Sequence, residues 1–540
     1  MKLERKRLSK SGDRYSAPPI RNWSVVSALG CGTALAILSS SMVGVAMPRM
    51  LNTFSVSIDT LTWIAIVYSI ASILTAAMSG WLSALLGRKQ VYILALVVFT
   101  GASLLCGTAR SFELILVGRI LQGMSAGALP TVGHAFLFST FSNKRQPTAV
   151  GVYMIAPLGA GGFGPVLSAW LTDAWDWPWV FFMMAVLAAV SVPLASRFLP
   201  GSRQEKRTRG RLDVGGLLLL ILSLTTLQIF LLRGPIEGWF DSSFIVTMGL
   251  VALGSLILMV GWELYVDEPV LNFRVLTNTP YTAGVCLVFL WGMVFFCTPF
   301  LLPLYLQQLR GYPVLDAGLI LLPQAITMIV LTPLVGHLYN VINRRCIVAS
   351  GMGLLIAGYL NMVRFTMETG VLQMLLAFIL VGAGLACLYT ALTTITMGAV
   401  PSSHLAPATS FYGLMRRVGA NIGFALISTQ VTKLKAIHYE ALANFTTSGA
   451  IGIEQALLDL RGHFSNTGLP MHLASLYEQT LIRERVIAHS TVLAYSDVFL
   501  IFALLFLCGS PLILLLGRPT APRHTQCQIT TIESIDHACT

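Results

Sequence analysis

The residue in this sequence with the highest expected cost of burial is an arginine inside an apolar stretch. Arg119 lies in "LVGRILQGMSAG", with apolar or small residues on both sides, and Gln122 is the next polar side chain. A cation within the hydrocarbon layer of a membrane is costly, so it is expected to face a cavity or a partner. Arg119 and Gln122 are therefore candidate groups of a polar cavity inside an apolar bundle.

Few other titratable residues share the apolar stretches. Glu113 lies six residues before Arg119, about 9 Å along a helix and well around it. His134 lies fifteen residues after Arg119 and is the residue type that titrates near neutral pH. These two are the candidate proton sites. The alternative interpretation of His134 is a residue at a helix end that contacts water or lipid headgroups.

The residue patterns do not indicate an enzyme. There is no nucleophile elbow, no paired-carboxylate site and no phosphate-binding G-x-x-x-x-G-K-[ST] loop. The nine cysteines are scattered, and the spacings of His438, His463, His472 and His489 do not form a ligand set. We expect a protein that is not an enzyme and that has no cofactor and no metal site.

The elements that must position these residues are membrane spans. The chain has 540 residues, of which 55% are hydrophobic and 11% are charged, whereas soluble domains carry about 25% charged residues. Apolar runs of about 20 residues, long enough to cross a bilayer, recur along the chain. We count fourteen of them, which predicts an all-α polytopic membrane protein.

The net charge of +12 raises the question of nucleic-acid binding, but the positions of the charges argue against it. Seven Lys/Arg residues lie in residues 1–21 and six more lie in residues 197–211. Bases distribute in this way when they set membrane topology by the positive-inside rule. The pattern predicts that both termini are cytoplasmic and that nucleic acid is not a partner.

Composition also divides the chain into regions. The predicted regions are a basic cytoplasmic tail at 1–23, a six-helix bundle at 24–198, a basic cytoplasmic linker at 199–212, two inserted helices at 213–262, a second six-helix bundle at 263–516 with an outer loop at 431–491, and a cytoplasmic tail at 517–540. Within the loop, "IEQALLDL" and "LASLYEQTLIRERVIAHS" read as helical.

An internal repeat supports two duplicated halves. "GWLSALLGRK", from Gly80 to Lys89, follows the second span, and "GHLYNVINRR", from Gly336 to Arg345, follows the tenth. Both have a leading glycine and a terminal pair of bases at the same spacing. Matching loops in duplicated halves are expected of a transporter built from two six-helix bundles.

Two further stretches combine small residues with possible function. "GAGGFGPVLSAW" places Gly164 and Pro165 in the fifth span, where glycines allow close helix contact and proline bends the helix. "YGLMRRVGANIG" opens the thirteenth span with Arg416 and Arg417. Anchoring at the cytoplasmic interface and a functional role are equally open for that pair.

With these stretches in view, the chain resembles the major facilitator superfamily, in particular the EmrB/QacA-like fourteen-span drug:proton antiporters. The resemblance covers nearly the whole chain. It implies the major facilitator fold, with two six-helix bundles plus two inserted helices. It also implies a set of conformational-motif residues. These are Gly80, Gly87, Arg88, Gly123, Gly164, Pro165 and Arg416.

The departures from the family pattern concern its charges. The first span of these transporters carries an aspartate thought to bind the proton, and the equivalent position here is Ser39. The family's loop motif has Asp-Arg where this chain has Ala84 and Leu85, and the second copy has Asn340. Without an acid at position 39, Arg119 is expected to be an unpaired cation that lines the central cavity, unless Glu113 reaches it. We therefore hypothesise an anionic substrate that supplies the missing counter-charge.

The resemblance implies a secondary active exporter of amphipathic small molecules, a multidrug efflux permease in the cell inner membrane. A periplasmic adaptor and an outer-membrane channel are possible partners. The alternatives are a dedicated exporter of one metabolite, such as a siderophore, and a degenerate membrane protein that does not transport. The polar groups expected in the cavity are Tyr68, Arg119, Gln122, Tyr153, Gln324 and Tyr389.

Overall fold

The computed structural model describes residues 19–142, 144–200, 213–266, 269–401, 404–447 and 471–516. Regular secondary structure in these ranges is entirely helical and includes fourteen long helices, numbered α1 to α14 in chain order. A helical turn at Ile58–Leu61 precedes α2, and 3-10 helices lie at Trp239–Asp241, Phe273–Thr277 and Ser510–Leu515. The long helices are α1 Pro19–Phe54, α2 Trp63–Leu86, α3 Arg88–Gly107, α4 Phe112–Thr140, α5 Gln146–Trp175, α6 Pro178–Phe198, α7 Val214–Arg233, α8 Ser243–Tyr265, α9 Thr279–Arg310, α10 Val314–Leu338, α11 Arg344–Val363, α12 Val371–Gly398, α13 Leu405–Thr447 and α14 Met471–Gly509.

Several regions expected from the sequence fall outside the described residues. They are most of the basic tail at 1–23, nearly all of the linker at 199–212, the centre of the outer loop with "IEQALLDL", and the tail at 517–540.

The predicted all-helical membrane fold is confirmed. Within the described ranges, thirteen helices are long and apolar enough to cross a bilayer. The long helix outside that set is α13, whose first half carries the polar residues Arg416, Arg417 and Asn421. It nevertheless packs lengthwise against α2, α9 and α14, so it runs through the bundle like its neighbours. The polar residues of α13 are therefore held among other helices.

The last two long helices extend well beyond a bilayer. α13 has 43 residues and α14 has 39, which correspond to roughly 60 Å each, about twice the thickness of the hydrocarbon layer. The segment "LASLYEQTLIRERVIAHS", predicted to be helical, lies in α14. Much of the sequence expected as an outer loop thus continues the two helices beyond the membrane.

The long helices form two packed halves, α1–α6 and α9–α14. The halves meet along two seams, α2 against α13 and α5 against α10. Helix α7 packs against both helices of the α2–α13 seam, and α8 packs against α7. Small residues and short polar side chains line both seams, as expected where helices associate within lipid. The polar contacts are Ser79–Ser410, Ser72–Arg417 and Ser69–Asn421 on the first seam, and Thr148–Gly336 and Asn340–Lys144 on the second.

The internal repeat has a structural counterpart in both halves. Lys89, at the start of α3, donates from Nζ to the carbonyls of Ser196 and Leu199 at 2.7 and 2.8 Å, where α6 ends. Arg345, at the start of α11, donates from Nε to the carbonyl of Leu516 at 3.0 Å, where α14 and its 3-10 extension end. The second base of each loop motif therefore binds the free carbonyls at the end of the last helix of its own half.

We expect Lys89→Met to lower stability modestly, by about 1 kcal/mol, because the cation at the end of α6 is lost while the apolar stem is kept. Thermal unfolding of the full chain in detergent measures the effect. Lys144→Met is the control, since Lys144 is exposed on the connection between α4 and α5. An equal loss of stability in both variants would contradict the assignment.

One end of the bundle is closed and the other is accessible. The Gly87 end is the end where α2 meets α3, and the Gly311 end is the end where α9 meets α10. Toward the Gly87 end, residues 125–138 of α4 and 388–397 of α12 are buried on all sides. Along one face of α1, burial changes from Thr33 (buried) to Ser40 and Gly44 (exposed). A Cβ built on Gly44 would meet nothing within 4 Å. The centre therefore opens toward the Gly311 end.

Candidate functional site

Arg119 lies at the centre of a hydrogen-bonded cluster within the first half. Its side chain is 1% exposed. Its Nε donates to the carbonyl of Ile64 at 3.1 Å, and one terminal nitrogen donates to Ser39 Oγ at 2.7 Å and to Gln122 Oε1 at 2.9 Å. The guanidinium carbon lies 4.1 Å from the centre of the Tyr68 ring, within range of a cation–π interaction. Helices α1, α2 and α4 thus hold the cation jointly.

The cluster holds Arg119 through hydrogen bonds and without a counter-ion among the described residues. Every hydrogen-bond acceptor that the structure describes for its guanidinium is neutral, and Ser39 takes the place where the resembling transporters have a carboxylate. Gln122 Nε2 donates onward to Ser103 Oγ of α3 at 2.7 Å, which fixes the amide that receives the arginine. Neutral acceptors therefore take the place of a counter-ion. They offset only part of the free-energy cost of removing the guanidinium charge from water.

A second cluster joins the two halves, and it contains three of the predicted residues. His134 of α4 lies with Nε2 2.8 Å from the hydroxyl of Tyr389 on α12 and with Nδ1 2.6 Å from the carbonyl of Pro130. The Tyr153 ring of α5 packs edge-on against the imidazole at 5.1 Å, and its hydroxyl lies 2.6 Å from Thr33 Oγ1. His134 is 6% exposed. The interpretation of a helix-end histidine facing water or headgroups therefore does not describe its position.

The contacts of His134 define its tautomer when it is neutral. A carbonyl oxygen can only accept, so Nδ1 carries the proton that bonds to Pro130. Nε2 is then the acceptor, and the hydroxyl of Tyr389 donates to it. Protonation of Nε2 would reverse this hydrogen bond, with the imidazolium donating to the hydroxyl of Tyr389, so the charge at the contact between the halves depends on the state of the imidazole.

Arg416 of α13 faces this second cluster. It is 6% exposed and interacts electrostatically with His134, Tyr153, Tyr389 and Tyr412. Within the described ranges its side chain makes no hydrogen bond or ion pair. The side-chain nitrogens are not fully enclosed by protein atoms. Of the two interpretations left open by the sequence, anchoring at a membrane interface does not fit this buried position.

Arg417, the adjacent residue, makes contacts between the halves. One terminal nitrogen donates to Ser72 Oγ of α2, and the other donates to the carbonyl of Ala126 of α4 at 2.7 Å. Residues next to each other on a helix point about 100° apart. Arg417 therefore points to the α2–α13 seam, and Arg416 points to the centre. The sequence motif indicated the arginine pair but did not predict that its two side chains point to different places.

The remaining predicted residues lie apart from these clusters. Glu113 is exposed near the start of α4, toward the Gly311 end, and none of the contacts described for Arg119 involves it. Gln324 is buried on α10, where its backbone packs against Gly382 of α12. No group of three or more His, Cys, Asp or Glu residues suited to a metal ion occurs in the searched, described residues.

The glycines of the predicted conformational motif occupy positions of close helix approach. A Cβ on Gly80 would lie 3.1 Å from the carbonyl of Ala406 across the α2–α13 seam. Gly123 faces the backbone carbonyl of Tyr68 at a distance that excludes a side chain, and Gly164 faces the side-chain hydroxyl of Ser41, which would have to move. Gly87 has φ of 90°, a left-handed conformation that favours glycine. Arg88 begins α3 directly after it, and Pro165 lies inside α5.

Two related six-helix halves that meet along two seams, closed at one end and open at the other, define a secondary membrane transporter fold. A family model described as Major Facilitator Superfamily matches residues 29–424. The chain belongs to this superfamily.

Similar proteins agree with this assignment. Multidrug export protein EmrB of Haemophilus influenzae is 28% identical over 429 residues, covering 79% of this chain and 84% of the relative. Fatty acid resistance protein FarB of Neisseria gonorrhoeae is 26% identical over 508 residues, covering 93% and 98%. The crystal structure of the human organic anion transporter MFSD10 (TETRAN) has 16% identity and a TM-score of 0.55, covering 91% of this chain and 100% of that one. That last likeness concerns the fold alone.

Proposed function

We propose that this protein is a secondary active exporter of amphipathic small molecules that works by alternating access. The observation that carries the proposal is the asymmetry of the bundle. Two seams with small residues close the Gly87 end, whereas the face of α1 around Ser40 and Gly44 is accessible from the Gly311 end. This arrangement corresponds to one state of a cycle in which two halves rock about a central site. The names of the relatives EmrB and FarB refer to export and resistance, and they support transport out of the cell.

The site residues belong to this proposal with different roles. The cavity wall would include Tyr153, Tyr389 and Gln324. The interior of the first half would be stabilised by the contacts of Arg119 with Gln122 and Tyr68. The glycines of the seams would permit the halves to separate and close again. Catalysis is not part of the proposal, which needs neither a cofactor nor a metal.

His134 is the proton site that this proposal favours. Protonation of Nε2 would reverse the hydrogen bond with Tyr389 and add a positive charge near Arg416, and repulsion between these two cations could couple a proton to opening of the Gly87 end. An anion beside Arg416 would reduce this repulsion. Glu113, which is exposed toward the Gly311 end, is the second candidate proton site.

The proposed membrane is the cell inner membrane, with the Gly87 end and both termini on the cytoplasmic side. The excess of bases in residues 1–21 and 197–211 supports this orientation. The Gly311 end would then face the periplasm, where the helical extensions of α13 and α14 emerge. We propose that these extensions contact a periplasmic adaptor that leads to an outer-membrane channel.

The test is transport by the purified full chain in proteoliposomes with an imposed pH gradient, with ethidium and an acidic dye followed in parallel. We expect gradient-driven movement of at least one dye. Arg417→Ala should reduce it by roughly tenfold, because the donors to Ser72 and Ala126 that help to close the seam are lost. Protein-free liposomes and Arg274→Gln, an exposed arginine outside the bundle, are the controls. Absence of gradient-driven flux of either dye would refute active export of amphipathic molecules of this kind.

A further inference from the structure

The central region contains a buried cation whose hydrogen-bonding capacity is unused. Arg119 and Arg417 show how this fold treats other arginines among its helices, since each donates to at least two neutral acceptors. Arg416, 6% exposed, has neither a hydrogen bond nor an ion pair among the described residues. A guanidinium has five N–H donors, and leaving them unbonded in a buried position costs free energy.

Among the residues that the structure describes, the surroundings of Arg416 offer it no counter-ion. The groups described as interacting with it are the imidazole of His134, the phenols of Tyr153, Tyr389 and Tyr412, and the second cation Arg417. The phenols already have partners. Tyr153 bonds to Thr33, Tyr389 to His134, and Tyr412 to Thr393 at 2.8 Å. Two adjacent cations and three engaged hydroxyls leave a local excess of positive charge.

The space beside Arg416 has both an apolar wall and a route of entry. Trp291 of α9 stacks on Phe295 with ring centres 4.4 Å apart and lies 4.9 Å from the Tyr389 ring. These aromatic rings form a buried apolar cluster next to the hydroxyl of Tyr389, and Phe295, at 8% exposed, is the most accessible of the three. On the other side, Thr33 contacts Tyr153 and begins the face of α1 that becomes exposed at Ser40. An amphipathic molecule entering from the Gly311 end would reach the cation at the base of this opening.

We propose that Arg416 binds the carboxylate or similar monoanionic head of the transported molecule, while the aromatic wall of Trp291, Phe295 and Tyr389 takes its apolar body. The inference rests on the proposed export function and names the substrate class for the same central site. A planar guanidinium matches a carboxylate through two parallel hydrogen bonds. The residue that recognises an anion is therefore Arg416, in place of the Arg119 expected from the sequence.

The experiment is equilibrium binding to the purified full chain in nanodiscs. The probes are dansylglycine, which carries a carboxylate, and dansylcadaverine, which has the same fluorophore and carries an ammonium group. We compare the wild type with Arg416→Gln, Arg416→Lys and the exposed-arginine control Arg274→Gln. Arg416→Gln should weaken dansylglycine binding by roughly tenfold or more, because a charged bidentate partner is lost. Its affinity for dansylcadaverine should be unchanged or higher. Arg416→Lys should lie between the wild type and Arg416→Gln for dansylglycine.

The outcomes separate this proposal from the export function. Loss of affinity for both probes to the same extent, or no loss for dansylglycine, would overturn the assignment of Arg416. Thermal unfolding of each variant identifies any that misfold, and Arg416→Lys, which keeps the charge, then supplies the comparison. If the wild type moves dyes but Arg416→Gln keeps its affinity for the anion, export stands and the anion site fails. If no dye is moved but binding is charge-selective and depends on Arg416, the site stands without active export.

Discussion

Gly151→Val is expected to abolish transport almost completely, to less than roughly a tenth of the wild-type rate, although the substitution adds only three carbons. A Cβ on Gly151 would lie 2.7 Å from the carbonyl oxygen of Thr332 and 2.8 Å from the Cα of Pro333 on α10. Both obstacles are backbone, so no side-chain rotation relieves the clash. The α5–α10 seam would have to separate at the Gly87 end, which removes the closed state from the cycle.

The matched control is Gly353→Val on α11, where a Cβ would meet nothing within 4 Å. Dye transport in proteoliposomes measures the functional effect. Hydrogen exchange of residues 125–138 and 388–397 reports whether the Gly87 end has opened. We expect faster exchange in Gly151→Val and, to a smaller degree, in Gly151→Ala. Wild-type exchange with normal transport in Gly151→Val would show that the seam tolerates a side chain and need not close this tightly.

Much of the architecture follows from local patterns in the sequence. Apolar runs predict spans because length and hydropathy are properties of each segment by itself. The repeat in the two loop motifs predicts the related positions of Lys89 and Arg345, because duplicated sequence segments fold into equivalent places. The extension of α13 and α14 beyond the membrane was harder to predict, since a polar helix outside the bilayer resembles a loop in composition.

The site was less predictable because its contacts join distant parts of the chain. His134 and Tyr389 are 255 residues apart, and nothing in either segment indicates the other. The adjacent residues Arg416 and Arg417 have the same type and nearly the same surroundings in sequence. Their different roles arise because adjacent residues of α13 point about 100° apart, one toward the seam with the first half and the other toward the centre. Burial of a charge among neutral acceptors, as at Arg119, likewise depends on side chains from separate helices.

The relation between Ser39 and Arg119 can be tested by supplying the carboxylate that the resembling family carries. Ser39 is 0% exposed and its hydroxyl lies 2.7 Å from the guanidinium of Arg119. Ser39→Asp would therefore place a carboxylate directly against the cation, and we expect the protein to remain folded. In an Arg119→Ala background the same aspartate would be buried without a partner, at a cost of about 3–5 kcal/mol.

The measurement is a double-mutant cycle of unfolding free energies in detergent micelles, with Ser39→Asn as the neutral isostere. We expect a favourable coupling between Asp at position 39 and Arg119 of at least ~3 kcal/mol, and much weaker coupling for Asn. Equal effects of Asp and Asn in both backgrounds would mean that position 39 does not meet the charge of Arg119. A large coupling would show that this chain keeps the geometry of an ion-pair site in which a neutral hydroxyl now serves as the acceptor. In that case proton binding, if transport uses it, has to take place at another residue, and His134, between the halves, is the one to mutate next.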